Sequence, residues 1–403
     1  MTRLRVLVFF LTVVVVGVVV YFVSLYARGY RFDSKHLRFS PNGLLVANSD
    51  PQGASVLVNG ELVTATNTTV SLAPGTYDIE IKKEGFTSWK KRMVIEKEVV
   101  TEAQASLFRS IPSLSPVTFN GSYDPVASSE LTKIAFAVLP QNGTDSTKLG
   151  LWVIETLNLP FGFAKEPKRI TDGDLTGASW TWSPDSREIL LTTKQGFFLL
   201  DVGTFTPQSV RVNVASKLTD IQEEWKKEGQ TKLTAKLRNL PVEFQDIFLR
   251  KTKALKFSPD ETKILYIASG SATLKENLVK ALPGASTQKQ DREIKDGQTY
   301  AYDIKEDRNF LIEADSFELT IEPDLYSAST KSLSWFPTSA HLVLAEEGKV
   351  TIMDYDGTNR QPVYTGSFVP PYAFPFASTG RLLILTNLGA DSSLPNLYSV
   401  TIK

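Results

Sequence analysis

The chain has 403 residues, with 44 Lys and Arg balanced by 44 Asp and Glu, 42% apolar residues, no Cys and two His; its mean hydropathy is −0.10. That length and apolar content support two to three folded domains and exclude a chain disordered throughout. The lack of Cys removes disulfides, thiolate zinc sites, iron–sulfur clusters and thiol nucleophiles, and the zero net charge argues against nucleic acid as the main partner.

The charge balance hides an asymmetry at the start of the chain. Residues 1–50 hold Arg3, Arg5, Arg28, Arg31, Lys35 and Arg38 against Asp33 and Asp50, and the basic residues flank an uncharged run over residues 6–26, ten of whose 21 residues are Val. At about 1.5 Å per residue such a helix spans roughly 30 Å, the thickness of a bilayer's hydrocarbon core. Its exit, Ser24-Leu25-Tyr26-Ala27-Arg28-Gly29, offers no small-x-small cleavage pattern. Residues 1–27 therefore read as an uncleaved, single-pass transmembrane anchor rather than a secretory signal. Basic residues on both sides leave the orientation undecided by charge.

Residues 28–43 read as a polar, basic juxtamembrane connector, after which residues 44–108 change to period-two alternation broken by turns. Residues 54–58 lead into Asn59-Gly60, a tight hairpin signal because both central positions need positive φ. Strands follow at 68–72, 76–82 (with Tyr77, Ile79 and Ile81 on one face), 90–96 and 101–108, a set of short antiparallel strands that predicts a small β-sandwich. Pro51-Gln52-Gly53-Ala54, Val56-Leu57-Val58-Asn59-Gly60, Leu72-Ala73-Pro74-Gly75-Thr76-Tyr77 and Glu84-Gly85-Phe86 resemble the PEGA domain, with Gln52 in place of the Glu of the family signature. The resemblance implies an envelope or surface protein in which this domain adheres or spaces and carries no catalytic residue.

The remainder, residues 109–403, repeats itself. Ser179-Trp180-Thr181-Trp182-Ser183-Pro184-Asp185 recurs as Ala254-Leu255-Lys256-Phe257-Ser258-Pro259-Asp260 and, more weakly, as Ser332-Leu333-Ser334-Trp335-Phe336-Pro337-Thr338, with degenerate copies around 128–136 and 377–384. Each copy is strand, Ser-Pro-Asp type turn, strand, and each has a further strand downstream, at 149–156, 196–202, 299–304, 350–355 and 396–402. The units resemble TolB-type and WD-repeat-like propeller blades, as do Lys168-Arg169-Ile170-Thr171-Asp172-Gly173 and residues 351–360. Five blades are expected, with a sixth if residues 109–122 pair with the chain's end. Two insertions interrupt the repeat: 217–251, read as an amphipathic helix, a break at Gly229, a second helix, and a further helical turn or helix after Pro241; and 273–297, read as starting helically and continuing as a polar loop.

Catalytic signatures do not emerge. His36 and His341 have no metal-ligand spacing, and there is no G-x-S-x-G elbow, P-loop or dinucleotide-binding glycine motif. Asp354-x-Asp356-Gly357-x-Asn359 resembles an acidic calcium loop but lacks the downstream Glu, and reads better as a blade-end turn. Trp152, Trp180, Trp182 and Trp335 would suit a carbohydrate platform, but their strand positions assign them to packing. Asn67, Asn120 and Asn142 head glycosylation sequons.

The expected fold is all-β with an N-terminal transmembrane helix, a small β-sandwich and a propeller with helical insertions. No catalytic, cofactor-binding or metal residue is assigned, and no cofactor is implied. The expected function is that of a non-catalytic, membrane-anchored, extracytoplasmic binding or scaffold protein of a bacterial-type envelope, its propeller presented to a protein or cell-wall glycan. The alternatives are an envelope glycan hydrolase using carboxylates at the propeller channel, and a scaffold facing the cytoplasm.

Overall fold

The uncharged run at the start of the chain forms helix α1, Thr2–Ala27. Residues Leu7–Ala27 are long and apolar enough to cross a membrane, and their side chains are almost all exposed. The hydroxyl of Thr12 donates to the Val8 carbonyl at 2.8 Å, so the one polar group in the middle of the run is satisfied inside the helix. The computed structural model describes residues 2–27, 30–33, 38–141, 145–156, 166–280, 287–376, 380–390 and 394–403. The chain divides into two units, one up to Phe108 and the other over most of residues 109–403.

In the first unit the connector is more structured than its polarity suggested. Tyr30–Asp33 and Arg38–Pro41 pair as an antiparallel ribbon, and the Tyr30 hydroxyl donates to Glu98 at 2.8 Å. Two sheets follow, one of Thr68–Leu72, Gly43–Asp50 and Val100–Ser106, the other of Glu61–Ala65, Ser55–Val58, Gly75–Lys82 and Trp89–Ile95. Period-two alternation buries Leu45, Val56, Ile79, Ile81, Met93 and Ala103 in one shared core. Asn59 and Gly60 take φ of 51° and 86°, the primed hairpin turn their sequence predicts. The expectation of purely antiparallel pairing needs correction. Gly43–Asp50 pairs parallel to Val100–Ser106, because the strands that open and close the domain lie side by side with the rest of the domain as their crossover.

The second unit is a succession of sheets, antiparallel except where Leu319–Thr320 runs parallel to Lys331–Ser332. Sheet 1 comprises Tyr123–Ala127, Lys133–Val138, Gly150–Glu155 and Lys168–Asp172, and sheet 2 comprises Ser179–Trp182, Glu188–Thr193 and Gly196–Asp201. Sheet 3 comprises Thr252–Phe257, Lys263–Ala268, Thr299–Asp303 and Arg308–Glu313. Sheet 4 comprises Lys331–Trp335, His341–Glu346, Lys349–Asp354 and Gln361–Thr365, with Leu319–Thr320 added at its first edge. Sheet 5 comprises Ala373–Pro375, Arg381–Thr386, Asn396–Thr401 and, from far upstream, Ser113–Pro116. Residues 109–122 thus do pair with the chain's end, but as an edge strand of sheet 5 and not as a separate sheet.

The repeated sequence explains the repeated turn. In sheet 2 the Ser183 amide donates to the Glu188 carbonyl and the Glu188 amide to Ser183 Oγ, both at 2.9 Å. Ser258 with Lys263, and Ser128 with Lys133, make the same reciprocal pair. In sheet 4 Phe336 keeps only the backbone half, donating to His341 at 2.9 Å. Three residues beyond each of these positions the chain turns left-handed, at Leu131 (φ 55°), Ser186 (60°), Glu261 (59°) and Ser339 (59°).

Shared apolar cores join the sheets at three junctions. Sheets 1 and 2 share a core built around Leu151, Ile170, Trp182 and Leu191, sheets 1 and 5 one around Phe136, Ile154, Phe374 and Leu397, and sheets 3 and 4 one around Leu265, Phe310, Trp335 and Leu344. Ser332 of sheet 4 donates to the Pro371 carbonyl just before sheet 5, at 2.8 Å. Between sheets 2 and 3 stands helix α2, Leu218–Leu237, whose Lys232 reaches the Pro184 carbonyl at 3.1 Å and whose Lys236 pairs with Glu261 at 2.8 Å.

Both insertions depart in detail from their sequence reading. Gly229 lies inside a continuous α2, where nothing approaches the position a Cβ would take. A single glycine costs a helix about 1 kcal/mol relative to Ala, too little to break one pinned at its far end by buried Leu237 and Leu240. Helix α3, Val242–Arg250, follows Pro241, which suits a helix start because its missing N–H has no intrahelical partner to lose. The 273–297 insertion shows no helix among its described residues. Ala272–Thr273 and Glu293–Ile294 instead pair as a short ribbon that tucks Leu274 and Ile294 against Tyr266 and Tyr300.

Candidate functional site

In the second unit a 3₁₀ turn over Pro323–Ala328, carried on the connection from sheet 3 to sheet 4, places Tyr326 against two rings near sheet 5. Tyr326 stacks on Phe374 with centroids 5.3 Å apart and lies 6.3 Å from Tyr372. Beside this turn is a cavity of about 50 Å³ whose lining includes Ser129, Lys256, Pro323 and Ser334. That is far below the roughly 300–1,000 Å³ of ordinary ligand pockets. Among the described residues the Tyr326 hydroxyl and Ser334 Oγ have no hydrogen-bond partner. Burial pushes the Tyr326 phenol up to about 12. The protein packed around Asp324 holds its carboxyl above the usual range, with Lys256 opposing the shift and Glu322 adding to it.

The residues singled out by sequence fall mainly into structural roles. Trp180, Trp182 and Trp335 are buried, and Trp152 is partly buried with its indole N–H on the Lys148 carbonyl at 2.9 Å, so they offer no open aromatic platform. His341 is buried between Thr338, which meets its Nδ1 at 2.8 Å, and Asp354, 3.6 Å from its Nε2. His36 and Asn142 lie outside the described residues. The acidic loop closes on itself: Thr358 donates to Asp356 at 2.5 Å and Asn359 to Asp354 at 3.0 Å, the work of a turn. Among the described residues no group of His, Asp and Glu is arranged to hold a metal ion.

What sequence reasoning missed is a set of connections bonded to one another. The stretch before sheet 1 is tied to the last turn of the chain by the Gly121 amide on Asn396 Oδ1 at 3.0 Å and the Ser122 amide on the Pro395 carbonyl at 2.8 Å. The connection from sheet 4 to sheet 5 is tied to that last turn by Ser367 on Asn387 at 3.4 Å and by Thr386 on the Ser367 carbonyl at 2.6 Å. It is tied to sheet 1 by the Tyr372 hydroxyl on Asp124 at 2.8 Å, a bond that together with burial holds the phenol above its usual range. Residues 117–124, 366–372, 386–390 and 394–396 are therefore linked by hydrogen bonds, and Tyr326 of the 314–330 connection packs on Phe374 and Tyr372 beside them. The only advance signal was the lack of Lys and Arg in these stretches.

Residues 42–111 are a PEGA domain. The PEGA domain's signature alanine, Ala54, is fully buried, whereas Gln52 is exposed and offers its backbone carbonyl to Lys83. The departure from the signature Glu therefore falls where no packing depends on it. Among curated proteins, none matches the chain. Among solved structures, it is similar to a TolB described as putative from Agrobacterium tumefaciens, at 9% identity over 70% of this chain and 78% of that one, with a TM-score of 0.23. It is also similar to TolB from Acinetobacter baumannii, at 12% identity over 81% of this chain and 60% of that one, with a TM-score of 0.20. An auxiliary nutrient binding protein from Bacteroides thetaiotaomicron aligns at 10% identity over 87% of this chain and 78% of that one, with a TM-score of 0.20.

Proposed function

We propose that this chain is a non-catalytic binding or scaffold protein of the cell envelope, held by α1 in the membrane with the remainder extracytoplasmic. The PEGA domain acts as a spacer, and the five sheets are the five blades of a β-propeller that presents a surface to a protein or glycan partner. The observation that carries this reading is the closure of the ring. Ser113–Pro116 enters sheet 5 beside Asn396–Thr401, and sheet 5 shares a core with sheet 1, the arrangement by which a propeller fastens its two ends. A rigid closed ring suits recognition by its connecting loops. Glycan hydrolysis would need two carboxylates across a sugar-sized cleft, and it remains the alternative that the assay below separates from binding.

Protease accessibility tests the topology. In intact cells whose outer layers admit protease, residues 50–403 are digested without lysis of the inner membrane; protection until lysis would overturn the extracytoplasmic placement. Release of reducing sugar ends from purified cell-wall glycan by the full chain would overturn the non-catalytic reading.

A further inference from the structure

Helix α2 has little support for its length. Of its 20 residues only Leu237 is fully buried, while Ile221, Trp225 and Leu233 are half-buried. One ion pair at i,i+4 spacing, Lys232 with Glu228 at 2.8 Å, adds to that. A helix so little buried needs many such pairs or a neighbour to pack on.

Lys232 and Lys236, which reach toward sheets 2 and 3, are both paired. The opposite side of the helix is different. Asp220, Glu223, Lys227, Thr231, Thr234 and Arg238 follow one another at spacings of three or four residues, so they share one face, and all six are exposed. Among the described residues the charged side chains of Asp220, Glu223, Lys227 and Arg238 have no hydrogen-bond or ion-pair partner. A groove of about 290 Å³ runs along this face from Lys227 to Arg238, roughly 16 Å of helix, over the short side chains of Thr231, Thr234 and Ala235. The Thr231 hydroxyl donates to the Lys227 carbonyl at 2.8 Å and so makes no demand on a partner.

The charges on the face are ordered. Asp220 lies in the first turn with Glu223 in the next, and Arg238 caps the far end. Turned end for end, such a face is complementary to itself. The acids of one copy meet Arg238 of the other, the short side chains meet in the middle, and the two helix dipoles oppose each other.

We propose that α2 packs antiparallel on the α2 of a second copy, about a two-fold axis beside Thr231, with Glu223 of each copy against Arg238 of the other. An anionic polymer or an anionic lipid surface fits less well, because either would meet Asp220 and Glu223 on the same face. The pairing goes beyond the binding role proposed above and does not depend on it.

The chain has no Cys, so a single introduced one reports on the pairing without background. Under mild oxidation in phosphatidylcholine vesicles, the full-length Thr231→Cys variant is expected to form a disulfide-linked dimer at least tenfold faster than Lys226→Cys, an exposed position on another side of α2. Arg238→Cys alone should be as slow as that control, and a mixture of Glu223→Cys and Arg238→Cys chains faster than either alone. Adding Arg238→Glu to Thr231→Cys should slow cross-linking at least tenfold, and adding Glu223→Arg as well should restore it, with the circular dichroism spectrum unchanged throughout. Raising NaCl from about 50 to about 500 mM should slow the Thr231→Cys reporter. Equal rates at positions 226 and 231, or a charge swap that restores nothing, overturns the proposal. So does an Arg238→Cys variant that links to itself as fast as Thr231→Cys, the result a parallel pair would give.

Discussion

The indole N–H of Trp182, on sheet 2, donates to the backbone carbonyl of Val126, on sheet 1, at 2.9 Å. The bond recurs one repeat pair further on, where Trp335 of sheet 4 donates to Lys256 of sheet 3 at 3.2 Å. Both acceptors stand two residues before the turn serine of their own repeat, so one sequence position clamps successive sheets. Phe257 holds the corresponding position in sheet 3, and its ring has no N–H to donate. The contact between sheets 2 and 3 is made by α2 instead.

Trp182→Phe and Trp335→Phe should each lower stability by about 1–3 kcal/mol, because the acceptor carbonyl loses its donor and the smaller ring fills less of the buried site. The two bonds join different sheet pairs, so the losses should add in the double variant. Denaturant titration followed by tyrosine and tryptophan fluorescence measures both; a double loss well below the sum would place the two clamps in one coupled network.

Ser186 is left-handed at φ 60°, and its hydroxyl is buried with no partner among the described residues. Ser186→Gly relieves both costs at the price of a more flexible unfolded chain, and should raise stability by about 0.5–1 kcal/mol. Gly150→Ala should do the opposite. At φ 136° a Cβ there would stand 2.0 Å from the Thr171 carbonyl oxygen, and the loss should exceed about 3 kcal/mol. Thermal melts of the two variants should move in opposite directions.

Asp185 should contribute a pH-dependent share of stability. The Ser183 hydroxyl, with the Arg187 amide and the nearby cations Arg187 and Lys232, holds its carboxyl below the usual range against the opposing effect of burial. A carboxyl lowered in the folded state stabilises fully above its unfolded value of about 3.9, and the benefit fades as pH falls through that value toward the folded one. The stability gap between the parent and Asp185→Ala should therefore be constant near neutrality and shrink below about pH 4. A gap that grows with acidification would refute this account.

Phe248 fixes the helical insertion to sheet 3. It is buried edge-on against Tyr266 with centroids 5.2 Å apart, while Phe244 meets Tyr302 at 5.5 Å. Phe248→Ala should cost about 3–5 kcal/mol of local stability. Hydrogen exchange should speed up over residues 218–250 well before it does in sheets 1 and 5. Uniform acceleration would mean that the insertion and the ring unfold as one unit.

The local parts of this protein were legible because their bonds span few residues. Ser183, Ser258 and Ser128 each bond five residues ahead, so the turn can be read from its own sequence. The Asn59-Gly60 hairpin and the uncharged run of α1 are local in the same sense. The break expected at Gly229 failed because packing at Leu237 and Leu240 outweighs a weak local preference.

By itself the sequence determined the strands, their turns, the apolar helix and the PEGA landmarks. Tertiary structure alone decided that Gly43–Asp50 runs parallel to Val100–Ser106, and that Ser113–Pro116 completes a sheet with Asn396–Thr401. The physical reason is distance along the chain. Pairings between segments nearly 300 residues apart have no local signature, and they are selected only when they bury apolar faces that a single sheet leaves open.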